Sequence, residues 1–380
     1  MIYLDNAATT FPKPVSVSAE VSRCIEEYCG NPGRGSHYMS RAASEKLFEV
    51  RSKLCDMYNA PSPENVVFTL NTTYAINTAL KSLVKSGDHI LISDLEHNSV
   101  LRSVNAVCNS RGASFDIFRT YSGDSDRIIK DINMKLKKRT AVIICLHASN
   151  ICGTVLPIER IGMLCRKNSI FFIADAAQSA GLYDIDIKNS GISVLCLPAH
   201  KGLYGPQGIA AAIFNDVAPE SLSTFVEGGS GVNSSEITMP DILPDKFEAG
   251  TMPTPAAAGF SAGIDFILKN TPRAVRFHES ELAGMLYSNL ISDKRLTVYS
   301  KPGSSGIVLF NVNGLTSVET AKRLDKVGIC VRAGFHCAPL AHKTLNTGQS
   351  GAVRVSFGAF NDKRDVKILT DSLLSIIKEV

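Results

Sequence analysis

The sequence predicts an α/β protein: a large domain built on a mostly parallel sheet flanked by helices, followed by a small C-terminal α+β domain. Three observations carry that reading. Between Asn65 and Phe214, short apolar runs alternate with amphipathic helical patterns, as in a parallel sheet with helices on both faces. Residues able to do chemistry gather at or just after the ends of those runs, namely Asn71, Asp94, His97, Asn150, Asp175 and Lys201, where such sheets hold ligands. Beyond Leu290 the grammar changes to short strands interleaved with separate helices.

Composition narrows the class. At 380 residues the chain exceeds one ordinary core, so a large and a small domain are expected. A hydrophobic content of 44% with 20% charged residues describes a soluble globular protein. No apolar run reaches the roughly 18 residues of a membrane span. MIYLDNAATT lacks a basic segment followed by an apolar stretch, so a signal peptide is not expected. The net charge of +4 is too scattered to argue for nucleic acid. Ten cysteines without a secretion signal suggest reduced thiols in a cytoplasm. Cys145, Cys165 and Cys196 lie in or beside apolar runs, where a thiol is a small hydrophobe. No CxxC or CxxH pair occurs, so no metal site is expected.

In chain order, IYLDNAATT begins as a strand and breaks at Pro12 and Pro14. A helix over 15–28 gives way to GNPGRGSH, whose glycines and proline disfavour a helix. A second helix over 41–58 places Ala43, Leu47, Val50, Leu54 and Met57 on one face. Strands NVVFTL, HILISD, SFDIFR and TAVIICLHAS alternate with helices ending at Gly87, over 98–111 and over 124–137. After a helix over 157–167 come the strands of 170–208, and GIAAAIF reads as an antiparallel return. The segment 216–255 is irregular, and helices follow over 255–269 and 273–290. LTVYS, GIVLFNV, a helix over 318–326, ICVRAGFH, AVRVSF and a helix from Asp362 complete the small domain. The expected division is an arm over 1–13, a large domain over 14–257 and a small one over 258–380.

The stretch 170–208 carries the functional argument. IFFIAD ends in Asp175, and a second strand ends in His200-Lys201, 26 residues after that acid. An acid at one strand end and a lysine at the next suit pyridoxal phosphate: the lysine forms a Schiff base, and the acid keeps the pyridine nitrogen protonated. A desolvated lysine also has a lowered pKa. Asp175 could equally cap a helix over AAQSAG, and Gln178 could complete a capping box or reach the cofactor's phenolic oxygen. Asn71, Thr72 and Thr73 sit at a strand-to-helix turn, an anion site suited to a phosphate, to which His200 could add a contact. His97 could stack on a pyridine ring and move protons, or be structural. Asn150 could be a ligand or a turn former. In RAGFHCAPLAH, Cys337 sits on a loop and could be a nucleophile or an inert thiol. Arg354 would suit a carboxylate grip or be a strand-surface arginine.

Together these strings resemble the class V aminotransferase fold family, and within it the cysteine desulfurases. The resemblance rests on YLDNAATT, the TT turn, EH at 96–97, DAAQ at 175–178, HK at 200–201, FEAGT at 247–251, RAGFHCAP and VRVS. It implies a fold type I pyridoxal 5'-phosphate enzyme that converts L-cysteine to L-alanine and leaves a persulfide on Cys337. Lys201 matches the cofactor-binding lysine, Asp175 the partner of the ring nitrogen, Gln178 the contact to the phenolic oxygen and His97 the ring-stacking acid/base. Thr72, Thr73 and His200 match phosphate contacts, and Thr251 one reaching from the other subunit of a homodimer. Arg354 matches the substrate carboxylate clamp and Asn150 a substrate or cofactor contact. The short Cys337 loop looks like the group II type shared with selenocysteine lyase-like enzymes, so L-selenocysteine is the alternative substrate, and other lyases or aminotransferases of the family are alternative activities. A sulfur-acceptor protein is implied, with uses such as iron–sulfur cluster assembly. One departure stands out: Pro198 replaces a serine that binds phosphate in many relatives.

Overall fold

The computed structural model describes residues 1–33, 35–301 and 305–379; Arg34, within the glycine-rich segment, lies outside them. The largest of the sheets has seven strands, in the order β2-β8-β7-β6-β5-β3-β4. These are β2 (Val66–Thr69), β3 (His89–Ser93), β4 (Ser114–Phe118), β5 (Thr140–Leu146), β6 (Phe171–Asp175), β7 (Val194–Pro198) and β8 (Ala210–Phe214); β1 is the N-terminal Ile2–Tyr3. The pairs from β4 through β7 are parallel. β8 is antiparallel to both of its neighbours, so the return strand inserts between β7 and β2.

Both faces of this sheet are covered, which is why its strands are continuous apolar runs. Along β5 and β6 the side chains alternate between two cores. Ile143 and Phe172 pack on one side, Val142, Ile144 and Ile173 on the other. The first core also takes in α2 (Tyr38–Tyr58), α5 (Ser125–Lys135) and α6 (Ile158–Lys167), and the second takes α3 (Thr72–Leu83) and α4 (Asn98–Arg111). Each fully buried Ile, Val or Leu contributes roughly 1.5–3 kcal/mol, so a polar residue in these strands would be costly.

α1 (Val15–Glu27) and α2 pack on α7 (Thr254–Asn270), which leads through Thr271 into α8 (Pro272–Ile291). The C-terminal sheet has the order β12-β13-β10-β9, from β9 (Leu296–Val298), β10 (Ile307–Val312), β12 (Arg332–Gly334) and β13 (Ala352–Ser356). Its helices are α9 (Ser317–Lys326), α10 (Pro339–Leu345) and α11 (Lys363–Lys378), the last opened by a capping box between Asp362 and Asp365. β1 pairs in parallel with β11 (Ile329–Cys330), and Asp5 bridges Ser356, so the N-terminal arm lies against the C-terminal sheet.

Three local readings need correction. Of the two alternatives for Asp175, the helix cap does not hold: the segment after it is a run of turns, in which the Ala177 amide donates to Asp175 Oδ1 at 2.8 Å. ICVRAGFH is two short strands rather than one, pairing in different sheets. Helix α10 was not expected. Its seven residues, PLAHKTL, are too few to display a period, and Pro339 occupies the first turn, where proline is tolerated.

Candidate active site

The strand ends do converge. A cavity of about 210 Å³ is lined by Thr72, Thr73, His97, Asn150, Asp175, Gln178, His200 and Lys201, with Asn71 and Ala8 at its edge. A larger open groove beside His147 and Arg276 contains none of these residues.

β6 and β7 deliver the acid and the lysine, being adjacent and parallel with Asp175 opposite Cys196. The turns that follow them nest against each other. Gly181 has φ +81°, and a Cβ there would collide with the Gly202 carbonyl, so no other residue fits. Asp175 is 4% exposed; burial pushes its carboxyl up, while the Ala177 amide and the Lys201 charge pull it down. Lys201 is lowered to about 8, by burial first, opposed by Asp175. A lysine that gives up its proton near neutrality can serve both as nucleophile and as base.

At the opposite wall, Asn71 caps α3 by accepting from the Tyr74 amide at 3.2 Å. Thr72 and Thr73 then occupy its first two positions, whose amides have no acceptor within the helix. His97 caps α4: its Nδ1 accepts from the Ser99 amide at 3.1 Å. The neutral ring therefore carries its proton on Nε2. Burial and the Lys201 charge lower it to about 4. His200 is lowered to about 4 for the same leading reason, and its Nδ1 is buried without a partner.

Asn150 joins the cavity to the turn after β12 and to β13. Its Nδ2 donates to the His336 carbonyl at 3.1 Å, its own carbonyl accepts from Arg354 Nη1 at 3.0 Å, and its Oδ1 is buried and unpartnered. Arg354 is buried, not on the strand surface; Nη2 donates to Asp5 Oδ1 at 2.6 Å and Nε is left without a partner. Gln178 donates from Nε2 to the Ala7 carbonyl at 2.9 Å. Cys337 is exposed on the turn after β12, and its carbonyl accepts from the Asn98 amide at 2.6 Å.

Two expected residues stand apart. Asp94 is turned toward Thr120, accepting from its amide and hydroxyl at 3.1 and 2.7 Å, and ties the end of β3 to β4. Thr251 lies outside this cavity, in a separate one with Asn31, Arg51 and Gly229.

Others carry the site without having been singled out. Glu96 is wholly buried under it, accepting from the Ser93 hydroxyl and, at 3.1 Å, from the Leu146 amide. Burial, with Asp175 adding to it, raises Glu96 to about 8. Lys13 donates to the His200 carbonyl at 2.8 Å and to Thr10 at 2.6 Å. Asp5 holds Arg354. The EH dipeptide was visible in the sequence, and Asp5 lies in YLDNAATT without having been given a role; nothing marked Lys13 apart from neighbouring surface charges.

The family model for aminotransferase class V matches residues 2–369. The chain belongs to the class V aminotransferase family. Among curated relatives, a probable cysteine desulfurase of Methanothermobacter thermautotrophicus is 32% identical over 99% of this chain and 94% of its own length. One of Halalkalibacterium halodurans is 30% identical over 98% and 92%. Among solved structures, the apo cysteine desulfurase of Thermococcus onnurineus NA1 superposes with a TM-score of 0.90 at 28% identity, covering 100% of this chain and 95% of that one.

Enzymes of the class V aminotransferase family use pyridoxal 5'-phosphate, and the cavity fits that cofactor chemically. It offers a helix N-terminus with two threonines for a phosphate, a buried carboxylate for a basic ring nitrogen and a lysine of lowered pKa for an aldehyde. The unpartnered His200 Nδ1 and Asn150 Oδ1 are the polar atoms such a ligand would satisfy. Pro198 contributes no hydroxyl; it pairs with Ala210 at the end of β7.

Proposed function

We propose that this chain is a pyridoxal-phosphate-dependent cysteine desulfurase, converting L-cysteine to L-alanine while Cys337 takes up the sulfur. The observation that carries the reading is the link between the two domains. Asn98, next to His97, holds the Cys337 carbonyl, and Asn150, which lines the cavity, holds His336 beside it. The backbone of the turn that carries the exposed thiol is thus tied by one hydrogen bond to Asn150 in the wall of the Lys201 pocket and by another to the residue after His97. The full-length likeness to cysteine desulfurases supports the same reading.

In this proposal Thr72, Thr73 and His200 hold the phosphate, Asp175 faces the ring nitrogen, Gln178 the phenolic oxygen, and His97 packs over the ring. When bound, the cofactor withdraws electrons from the substrate's α-carbon. Lys201 removes the α-proton, and the buried Arg354, aided by Asn150, orients the substrate carboxylate. The Cys337 thiolate attacks the substrate sulfur, forming the S–S bond. The bond between the β-carbon and sulfur breaks with its electron pair left on that carbon. The proton released when the Cys337 thiol ionised goes to the β-carbon, and the α-proton is returned to the α-carbon, which completes alanine. Cysteine and one thiol therefore give alanine and one persulfide, with no outside oxidant. The reading includes a homodimer in which Thr251 serves the second site, a sulfur-acceptor protein, and a cytoplasmic setting. Among the described residues no helix is long and apolar enough to cross a membrane.

Incubating the holoenzyme with L-cysteine and quantifying alanine tests the reading. Catalytic alanine release supports it. Alanine from L-selenocysteine alone would instead favour a selenocysteine lyase, and neither product would return the chain to the family's other activities.

A further inference from the structure

Behind Cys337 lie two histidines that line no part of the pocket. His336 Nε2 is 3.3 Å from the Arg332 carbonyl oxygen, His336 Nδ1 is 3.1 Å from His342 Nε2, and His342 Nδ1 is 2.7 Å from Thr347 Oγ1. All three side chains are buried, at 6%, 2% and 3% exposure. A carbonyl oxygen only accepts, so His336 carries its proton on Nε2. The Nδ1 of that neutral ring must then accept, which makes His342 the donor through Nε2. His342 Nδ1 is left to accept from the Thr347 hydroxyl. One carbonyl therefore sets the direction of the whole chain, from Thr347 through His342 and His336 to Arg332. A proton added to His336 Nδ1 would set N–H against the N–H of His342 Nε2, whereas one added to His342 Nδ1 would only reverse the Thr347 contact, since a hydroxyl accepts as well as donates. Burial keeps both rings neutral: His336 is held down to about 3, with the Arg354 and Arg332 charges adding to burial, and His342 to about 4 by burial.

This chain ends on a strained turn. His336 and Cys337 have φ of +49° and +56°, and a residue other than glycine in that region costs on the order of 1–3 kcal/mol. Two in succession persist only where the surroundings over-determine them. The backbone of the turn is held by the Asn150 side-chain amide, which donates to the His336 carbonyl, by the Asn98 amide, which donates to the Cys337 carbonyl, and by the Ala338 amide, which donates to the Phe335 carbonyl. The only side chain within residues 336–337 that is anchored at both polar atoms is His336, through the relay.

We propose that the Thr347–His342–His336 relay locks the Cys337 turn in one conformation, which makes His342 a positioning residue for the nucleophile. The inference rests on reading Cys337 as the sulfur-accepting thiol. It assigns a task to α10, whose His342 lies on the same short element that follows the nucleophile, so turn and helix brace one another.

The test uses the holoenzyme with His342→Phe, Thr347→Val and Thr347→Ser. A misplaced nucleophile costs about 10²-fold per ångström, so His342→Phe should lower kcat by roughly 10- to 100-fold while KM for L-cysteine changes less than about twofold. Thr347→Val should show a smaller loss of the same kind, and Thr347→Ser, which restores the hydroxyl, should recover wild-type kcat. In wild type, ¹⁵N NMR of the imidazoles should find His336 and His342 both neutral and both protonated on Nε2. An Nδ1-protonated His336, or wild-type kcat in a folded His342→Phe or Thr347→Val, overturns the proposal and leaves the desulfurase reading intact. Absence of alanine from wild type overturns that reading instead, and the imidazole tautomers then decide the relay on their own.

Discussion

Glu96 gives the sharpest physical prediction. Its carboxyl is wholly buried, with Oε1 accepting from Ser93 and Leu146 and Oε2 without a partner. In the folded protein it titrates at about 8, against an ordinary 4.5. Below the lower value both folded and unfolded states hold the proton, and the group costs nothing. As pH rises from there, the unfolded chain loses its proton while the folded one keeps it, so stability falls until the folded carboxyl ionises near 8. The gap of roughly 3.5 pH units, at about 1.4 kcal/mol each, sets a ceiling of about 5 kcal/mol on this loss. Glu96→Gln keeps an oxygen for Ser93 and Leu146 and places an NH₂ where Oε2 already lacks a partner. The variant should therefore match wild type near pH 5 and exceed it by several kcal/mol at about pH 8. Paired urea unfolding at the two pH values measures this, and the difference cancels cofactor loss and other raised carboxyls such as Glu279. Parallel responses of the two proteins would refute the argument.

Lys201→Ala should abolish borohydride-fixable attachment of the cofactor to the chain and lower turnover by about 10²- to 10⁴-fold; cofactor still fixed to the variant would move the attachment site elsewhere. Thr73→Val should weaken pyridoxal phosphate binding about tenfold, in line with loss of one hydrogen bond to a charged group, yet leave pyridoxal binding unchanged; equal effects on both in a titration would remove Thr73 from the phosphate site. Glu248→Ala should destabilise the large domain by about 3–5 kcal/mol in calorimetry, because Glu248 pairs with buried Arg51 at 2.6 Å and accepts from the Phe68 amide at 2.6 Å. An unchanged melting temperature would show that pair to be dispensable.

Much of this was legible in the sequence because two periodicities did the work. Strands buried on both faces read as unbroken apolar runs, and their ends point to where ligands bind, so Asp175, Lys201, His97 and Asn150 could be gathered before any coordinates. Asp94 shows the limit of that logic. It stands at a strand end like the others, but Thr120 turns it toward β4. AAQSAG left a helix open because Asp175 satisfies the Ala177 amide in a turn as readily as it would cap a helix. Asp5 and His342 lie in YLDNAATT and RAGFHCAPLAH but had no role assigned, and Lys13 lies in no such string; Arg354 and His200 are brought to Asp5 and Lys13 only by the tertiary fold, from 349 residues away in the first case. The placement of Thr251 in a separate cavity is likewise invisible to local pattern.

The central claim, that Cys337 accepts sulfur from L-cysteine held in the Lys201 pocket, is tested most directly by one paired measurement. A single turnover of the holoenzyme with L-cysteine is followed for alanine and for persulfide, on wild type and on Cys337→Ala. The account predicts one alanine per persulfide in wild type, with the persulfide mapped to Cys337 and both products lost in the variant. Full alanine release by Cys337→Ala, or persulfide on another of the ten cysteines, would contradict it.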